Sequence, residues 1–194
     1  MLLKQRYIRL VPVLLALALP AAHASDPIEA LALTCNNCHG DGSSAGGSMP
    51  SIGGQPEAYL KNILLQWKSG ERYSATMGRL IKGYSDEQLA ALAHYFSQQR
   101  WTPVAQKLDP DLVKKGKAKA TALCAGCHGA TGGEPMDDET PKLNGQTAQY
   151  MEMELMKYRD ESVAMPSKIM RKVSMKLKEE DLAAIADYFA SQTK

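Results

Sequence analysis

Beyond its first two dozen residues the chain lacks any apolar run long enough to cross a bilayer. It also lacks the alternating apolar and polar pattern of half-buried strands, which leaves helix and loop as its building material. Charge of one sign is missing as well: 23 Lys and Arg stand against 21 Asp and Glu. Such a balance carries no electrostatic footprint of a nucleic-acid binder. Histidine and cysteine are both scarce, at four each. No Cys lies near the end of the N-terminal segment, so no lipid anchor is expected there. Four Cys in an exported chain would ordinarily suggest two disulfides, but their spacing points elsewhere.

That N-terminal segment has the layout of a secretory signal. Lys4, Arg6 and Arg9 form a basic start, an apolar run from Leu10 to Leu19 follows, and Ala22-His23-Ala24 is a small-residue cleavage site. The apolar run is about half of the ~20 residues that a spanning helix needs. Residues 1–24 are therefore expected to be removed between Ala24 and Ser25, leaving an exported protein with no stable membrane insertion. Removing three basic residues brings the 23 to one fewer than the 21 acidic ones, so the basic balance of the whole chain belongs to the signal. The remaining ~170 residues suffice for one ordinary domain or two small ones.

The remainder is one unit written twice. Cys35-Asn36-Asn37-Cys38-His39-Gly40 recurs as Cys124-Ala125-Gly126-Cys127-His128-Gly129. Pro50-Ser51-Ile52-Gly53-Gly54-Gln55 recurs as Pro141-Lys142-Leu143-Asn144-Gly145-Gln146, Tyr59 as Tyr150, Met77 as Met170, and Tyr95-Phe96 as Tyr188-Phe189. The offset drifts from 89 to 91 to 93, which is duplication with two short insertions. Domain boundaries follow at 25–99 and 108–194, with 100–107 as a polar, proline-containing linker whose Trp101 should either pack between the two or serve as a partly buried structural residue.

Each copy reads as all-α. Asp26-Pro27 and Asp109-Pro110 have the form of a capping Asp with Pro at the first helical position. Middle helices run from Pro56 to Gly70 and from Thr147 to Asp160. Ser85-Asp86-Glu87-Gln88 has capping-box form. Leu89, Leu92, Ala93 and Phe96 then share one helical face, repeated by Leu182, Ile185, Ala186 and Phe189. Gly-rich stretches at 40–54 and 129–133 are loops. Lys114, Lys115, Lys117 and Lys119 read as a solvated helix face.

Cys-x-x-Cys-His is the covalent attachment motif of c-type haem. Two thiols three residues apart on one turn reach the two vinyl groups at one edge of a porphyrin, and the adjacent His points its imidazole at the iron. A thioredoxin-like motif would follow a strand, which neither copy has, and a zinc ribbon pairs its Cys motifs roughly 15–20 residues apart rather than 89. Two haem c groups are thus expected, tethered through Cys35 and Cys38 and through Cys124 and Cys127, with His39 and His128 as axial ligands. A haem also supplies the core that a domain of roughly 80 residues struggles to build alone.

The sixth iron ligand should be Met, a soft thioether that raises the reduction potential. His94 is the one other His after the signal, has no partner in the second copy, and reads as a surface residue. Met77 is the candidate in copy one. In copy two Met165, Met170 and Met175 all lie in the right segment; the repeat register selects Met170, and Met165-Pro166 is the runner-up. Met151, Met153 and Met156 lie on a helix and read as packing residues. A carbonyl near Pro50 or Pro141 is expected to accept the imidazole Nδ1–H of its copy.

In their order and spacing these motifs resemble the cytochrome c4 family of dihaem cytochromes over nearly all of residues 26–194. The resemblance implies two tandem class I cytochrome c domains, each wrapped around a His/Met haem, and electron transfer in the periplasm toward a terminal oxidase. The segment Met77-Gly78-Arg79-Leu80-Ile81-Lys82-Gly83-Tyr84-Ser85 is also similar to the dihaem subunit of flavocytochrome c sulfide dehydrogenase, which implies a flavoprotein subunit as donor. Either way the chain is expected to be an electron-transfer protein and not itself an enzyme. A dihaem redox enzyme is the weaker alternative, because a well-placed Met in each copy closes the iron.

Overall fold

The computed structural model describes residues 27–44 and 46–193. The signal segment, its cleavage site and the Asp26 cap lie outside these. Among the described residues there are helices and no strand, in two successive lobes. The first holds α1 (Pro27–His39), α2 (Glu57–Ser69), α3 (Met77–Leu80), which runs into a 3-10 turn at Ile81–Gly83, and α4 (Asp86–Ser97). The second holds α5 (Pro110–Leu123), α6 (Ala125–His128), α7 (Ala148–Arg159), α8 (Lys168–Ser174) and α9 (Glu179–Ala190). No described helix is long and apolar enough to cross a membrane.

The helix ends follow local chemistry. Asp109 Oδ1 accepts from the Asp111 and Leu112 amides at the start of α5, with Pro110 in the first turn. Ser85 and Gln88 form a complete capping box on α4. Gly70 closes α2 at φ 83, a left-handed cap that glycine takes without strain. The two Cys motifs sit differently at the ends of their helices. In lobe one the Cys motif ends a continuous helix, whereas in lobe two α5 stops before Cys124 and the motif forms its own short helix, α6.

Each lobe closes its terminal helices over an apolar cluster. In lobe one Ala32, Leu60, Leu92, Ala93 and Phe96 are buried together. In lobe two Ala120, Met151, Leu182, Ile185, Ala186 and Phe189 form the matching cluster. The recurring face of α4 and α9 is thus the core face of both. α5 and α9 cross at main-chain distance: a Cβ built on Gly116 would lie 1.9 Å from the Ala184 carbonyl oxygen. On the outer face of α5, Lys114, Lys115 and Lys117 are exposed, as a solvated face should be, while Lys119 pairs with Asp181 at 3.1 Å.

Asp181 also accepts from the Lys178 amide at 2.9 Å and so caps α9. Burial pushes its carboxyl up, but the Lys178 amide and the Lys119 ammonium outweigh burial and hold it below the ordinary value of 3.8. A folded-state pKa below the unfolded one means stability that is present above 3.8 and lost as pH falls through the lower folded value. Asp181→Asn keeps an oxygen for the Lys178 amide but removes the charge that faces Lys119, so it is expected to cost about 0.5 kcal/mol at neutral pH, as partly exposed ion pairs do. Urea midpoints measured at pH 7 and near pH 3 check this; the difference between the two proteins should shrink at the lower pH.

The residues between α4 and α5 are strapped to lobe two. Trp101 Nε1 donates to the Asn144 carbonyl at 2.9 Å, the Val104 amide to Gly145 O at 2.8 Å, and Gln106 Nε2 to Gln146 O at 3.0 Å. Lobe one presses on the same strap, since a Cβ on Gly54 would lie 2.6 Å from the Trp101 amide. Trp101 therefore sits between the lobes, as its place in the linker suggests.

Across the lobe interface the repeat is used reciprocally. Gln55 grips the backbone of Lys142, accepting from its amide at 2.8 Å and donating to its carbonyl at 2.9 Å. Gln146, the counterpart of Gln55, grips Ser51, the counterpart of Lys142, at the same 2.8 and 2.9 Å. Beside this pair, Arg72 of lobe one bonds Glu154 at 2.5 Å and the Tyr158 hydroxyl at 2.9 Å in lobe two. Burial pushes the Tyr59 hydroxyl there to about 12 and Tyr150 well above its ordinary range. Both phenols are therefore neutral hydrogen-bonding groups at physiological pH.

Candidate haem centres

In each lobe the Cys-x-x-Cys-His turn places its two thiols beside a buried His. Cys35 and Cys124 are partly buried, Cys38 and Cys127 are exposed, and none of the four is in a disulfide. Burial pushes the Cys35 thiol up, partly offset by the Thr34 hydroxyl, and raises Cys124 to about 11, with Cys127 adding to the shift. Burial thus favours the neutral thiol at Cys35 and Cys124.

The two histidines are held alike. His39 Nδ1 lies 2.8 Å from Pro50 O, and His128 Nδ1 lies 3.0 Å from Pro141 O. A carbonyl accepts only, so each Nδ1 carries the proton and each Nε2 keeps its lone pair. This fixes both tautomer and ring orientation for a metal on Nε2. Burial pushes both imidazoles below their ordinary pKa, against the opposing effect of the proline carbonyls. The neutral ring, which is the ligating form, is thereby favoured.

The methionines divide by environment. The Met77 amide donates to Ser74 Oγ at 3.1 Å, and the Met170 amide donates to Ser167 Oγ at 3.2 Å. The two serines stand 93 residues apart, as do the two methionines, so one capped turn presents a Met in both lobes. Sequence reading singled out the methionines but not these serines, whose shared offset was the available signal. Met165 is buried, and Met175 is 52% exposed. Met151 is buried in the lobe-two cluster, while Met153 and Met156 are exposed. His94 is exposed and pairs with Glu57 at 2.8 Å on the outer surface.

The residues fit a haem. A macrocycle brings carboxylates as well as iron, and two buried donors, Trp67 Nε1 and Arg72 Nε, have no protein partner. Orphaned donors of this kind suit a propionate. With the two Nε2 lone pairs and the paired thiols, they form a donor set with the right chemistry.

Comparison with known proteins agrees with this geometry. Residues 113–193 match the family model described as cytochrome c. Over 92% of this chain and 96% of the relative, the sequence is 34% identical to cytochrome c4 of Azotobacter vinelandii. The chain belongs to the cytochrome c4 family. Reduced recombinant cytochrome c4 from Pseudomonas stutzeri superposes with a TM-score of 0.76 at 30% identity, covering 85% of this chain and 96% of that one. Its two lobes are thus tandem cytochrome c4-type domains. A shorter match, 40% identical over 68 residues, 35% of this chain and 62% of the relative, is to the cytochrome subunit of sulfide dehydrogenase of Chlorobaculum tepidum.

Membership in the cytochrome c4 family implies two covalently bound haem c groups and the work of a dihaem electron carrier. When bound, each haem supplies the iron that takes up and releases one electron. The protein contributes orientation: Pro50 and Pro141 hold the imidazoles, and the lobe interface holds the two prolines.

Proposed function

We propose that this c4-type cytochrome binds one haem per lobe through Cys35 and Cys38 and through Cys124 and Cys127, with His39/Met77 and His128/Met170 as axial pairs. The observation that carries this reading is the matched Nδ1–carbonyl contact in both lobes, 2.8 and 3.0 Å, which leaves both Nε2 atoms for iron. The domains run over 25–99 and 108–194 with 100–107 between them, after a signal at 1–24. The mature protein works in the periplasm and relays single electrons from a protein donor to a protein acceptor such as a terminal oxidase.

A second reading concerns the donor. The match to a sulfide dehydrogenase cytochrome subunit supports a flavoprotein partner that delivers electrons into this chain. Gentle purification from the periplasm, followed by absorbance across a gel-filtration peak, separates the two. A haem-only peak at monomer mass supports the free carrier. Flavin absorbance and added mass in the haem peak would replace it with the flavoprotein-bound subunit. Absence of any c-type haem spectrum would overturn the shared haem assignment.

A further inference from the structure

The two gripping glutamines do more than join the lobes. The peptide group between Pro50 and Ser51 has its oxygen 2.8 Å from His39 Nδ1 and its N–H 2.8 Å from Gln146 Oε1. One peptide therefore accepts from the imidazole of lobe one and donates to a glutamine of lobe two. The peptide between Pro141 and Lys142 repeats this with the lobes exchanged: its oxygen is 3.0 Å from His128 Nδ1, and its N–H is 2.8 Å from Gln55 Oε1. Both glutamines are almost fully buried, at 4% and 2% exposure for Gln55 and Gln146, so water does not compete for these bonds.

We infer that each glutamine tunes the haem of the opposite lobe: Gln146 acts on the His39 centre, and Gln55 on the His128 centre. Hydrogen bonds in a chain polarise one another. An N–H that donates to glutamine leaves its own carbonyl oxygen more negative. That oxygen then draws the Nδ1 proton more strongly and gives the imidazole more anionic character. An electron-rich ligand stabilises Fe(III) over Fe(II), which lowers the reduction potential; tuning of ligand basicity through outer groups is general at metal sites. The reaction affected is uptake of one electron from a partner protein by Fe(III) to give Fe(II), with no bond made or broken. Gln55 and Gln146 are positioning residues, acting through the proline peptides.

The arrangement also makes the two centres mutually dependent. Each imidazole reports on whether the other lobe is docked, since undocking removes both glutamines at once. The geometry is not perfectly symmetric. Gln146 Oε1 is shared with its neighbouring Thr147 amide at 3.0 Å, whereas no second donor to Gln55 Oε1 is found among the described residues. Gln55 should therefore exert the larger effect.

This inference rests on the axial assignment of His39 and His128 made above. The test is Gln146→Leu and Gln55→Leu in the full holoprotein, with the potential of each haem resolved by NMR of its ligand signals during a redox titration. Gln146→Leu should favour reduction of the His39 haem by about three- to tenfold, roughly 30–59 mV for one electron, and change the other haem less. Gln55→Leu should do the reverse. The Nδ1–H resonance of the opposite lobe's axial His should move upfield in the reduced protein. The Gln→Met variants, which keep the length of the side chain but remove its acceptor oxygen, should shift the same haem in the same direction and stand in if a leucine variant fails to fold. Uncrossed shifts, equal shifts at both haems, or none would overturn the inference while leaving the haem assignment intact. Loss of that assignment would appear instead as a missing axial-His signal in the parent protein.

Discussion

Gly116→Ala is expected to destabilise the second lobe by about 3 kcal/mol or more. In an exposed helix the same change would be favourable by ~1 kcal/mol, because Ala is the better helix former. Here the new Cβ would lie 1.9 Å from Ala184 O, 2.5 Å from Ala184 C and 3.0 Å from the Ile185 amide. All three are main-chain atoms, so no side-chain rotation relieves the contact and α5 and α9 must separate. Ala184 and Ile185 are both 3% exposed, so α9 has little freedom to retreat. Overpacking a core typically costs 1–3 kcal/mol, and this case belongs at or above the top of that range. The loss is a large share of the 5–15 kcal/mol that holds an ordinary domain together. Urea unfolding followed by far-UV dichroism gives the measurement. A midpoint at the parental value would show that the helices do not cross as closely as described. Ala184→Gly should not rescue the variant, because the colliding oxygen belongs to the main chain.

Met170→Leu is expected to turn one of the two haems high-spin in the oxidised protein, with the other unchanged. Leucine keeps the volume and apolar character of the side chain but removes the thioether, so the iron loses its sixth ligand and the potential falls with it. The prediction follows from the turn that Met170 shares with Met77, each amide capped by a serine at the same offset. Met165→Leu should leave both irons low-spin, at a packing cost of less than about 1.5 kcal/mol, and Met175→Leu should change neither iron nor stability. Electron paramagnetic resonance and the sulfur-to-iron charge-transfer band of the oxidised protein report the outcome. Conversion to high spin in the Met165 variant instead would move the axial assignment to the Met-Pro dipeptide.

How much of this was legible in the chain varied with how local each feature is. Helix starts at Asp109 and Ser85 and the stop at Gly70 were readable because a cap is made within three or four residues. The core faces of α4 and α9 were readable from their 3.6-residue period. The proline carbonyl behind each imidazole could be anticipated because Pro50 and Pro141 stand at nearly fixed distances after their Cys motifs. Gly116 gave no such signal. A glycine inside a helical run reads as a weak spot, and only the approach of α9 shows that it must be there. Gln55 and Gln146 stood out as a repeated pair, but nothing near either in sequence says that each one's partner lies across the interface.

Composition, spacing and repetition determined the class of this protein: all-α, duplicated, with two Cys-x-x-Cys-His motifs whose order over both halves carries the family resemblance. These properties are written in stretches of a few residues, or in a repeat that any comparison of the two halves reveals. Tertiary structure alone decided how the halves meet, which main-chain atoms touch, and that the peptide holding each imidazole is itself held by the other lobe. Such contacts join residues up to 95 positions apart. They depend on the relative placement of whole helices, which no local propensity or period encodes.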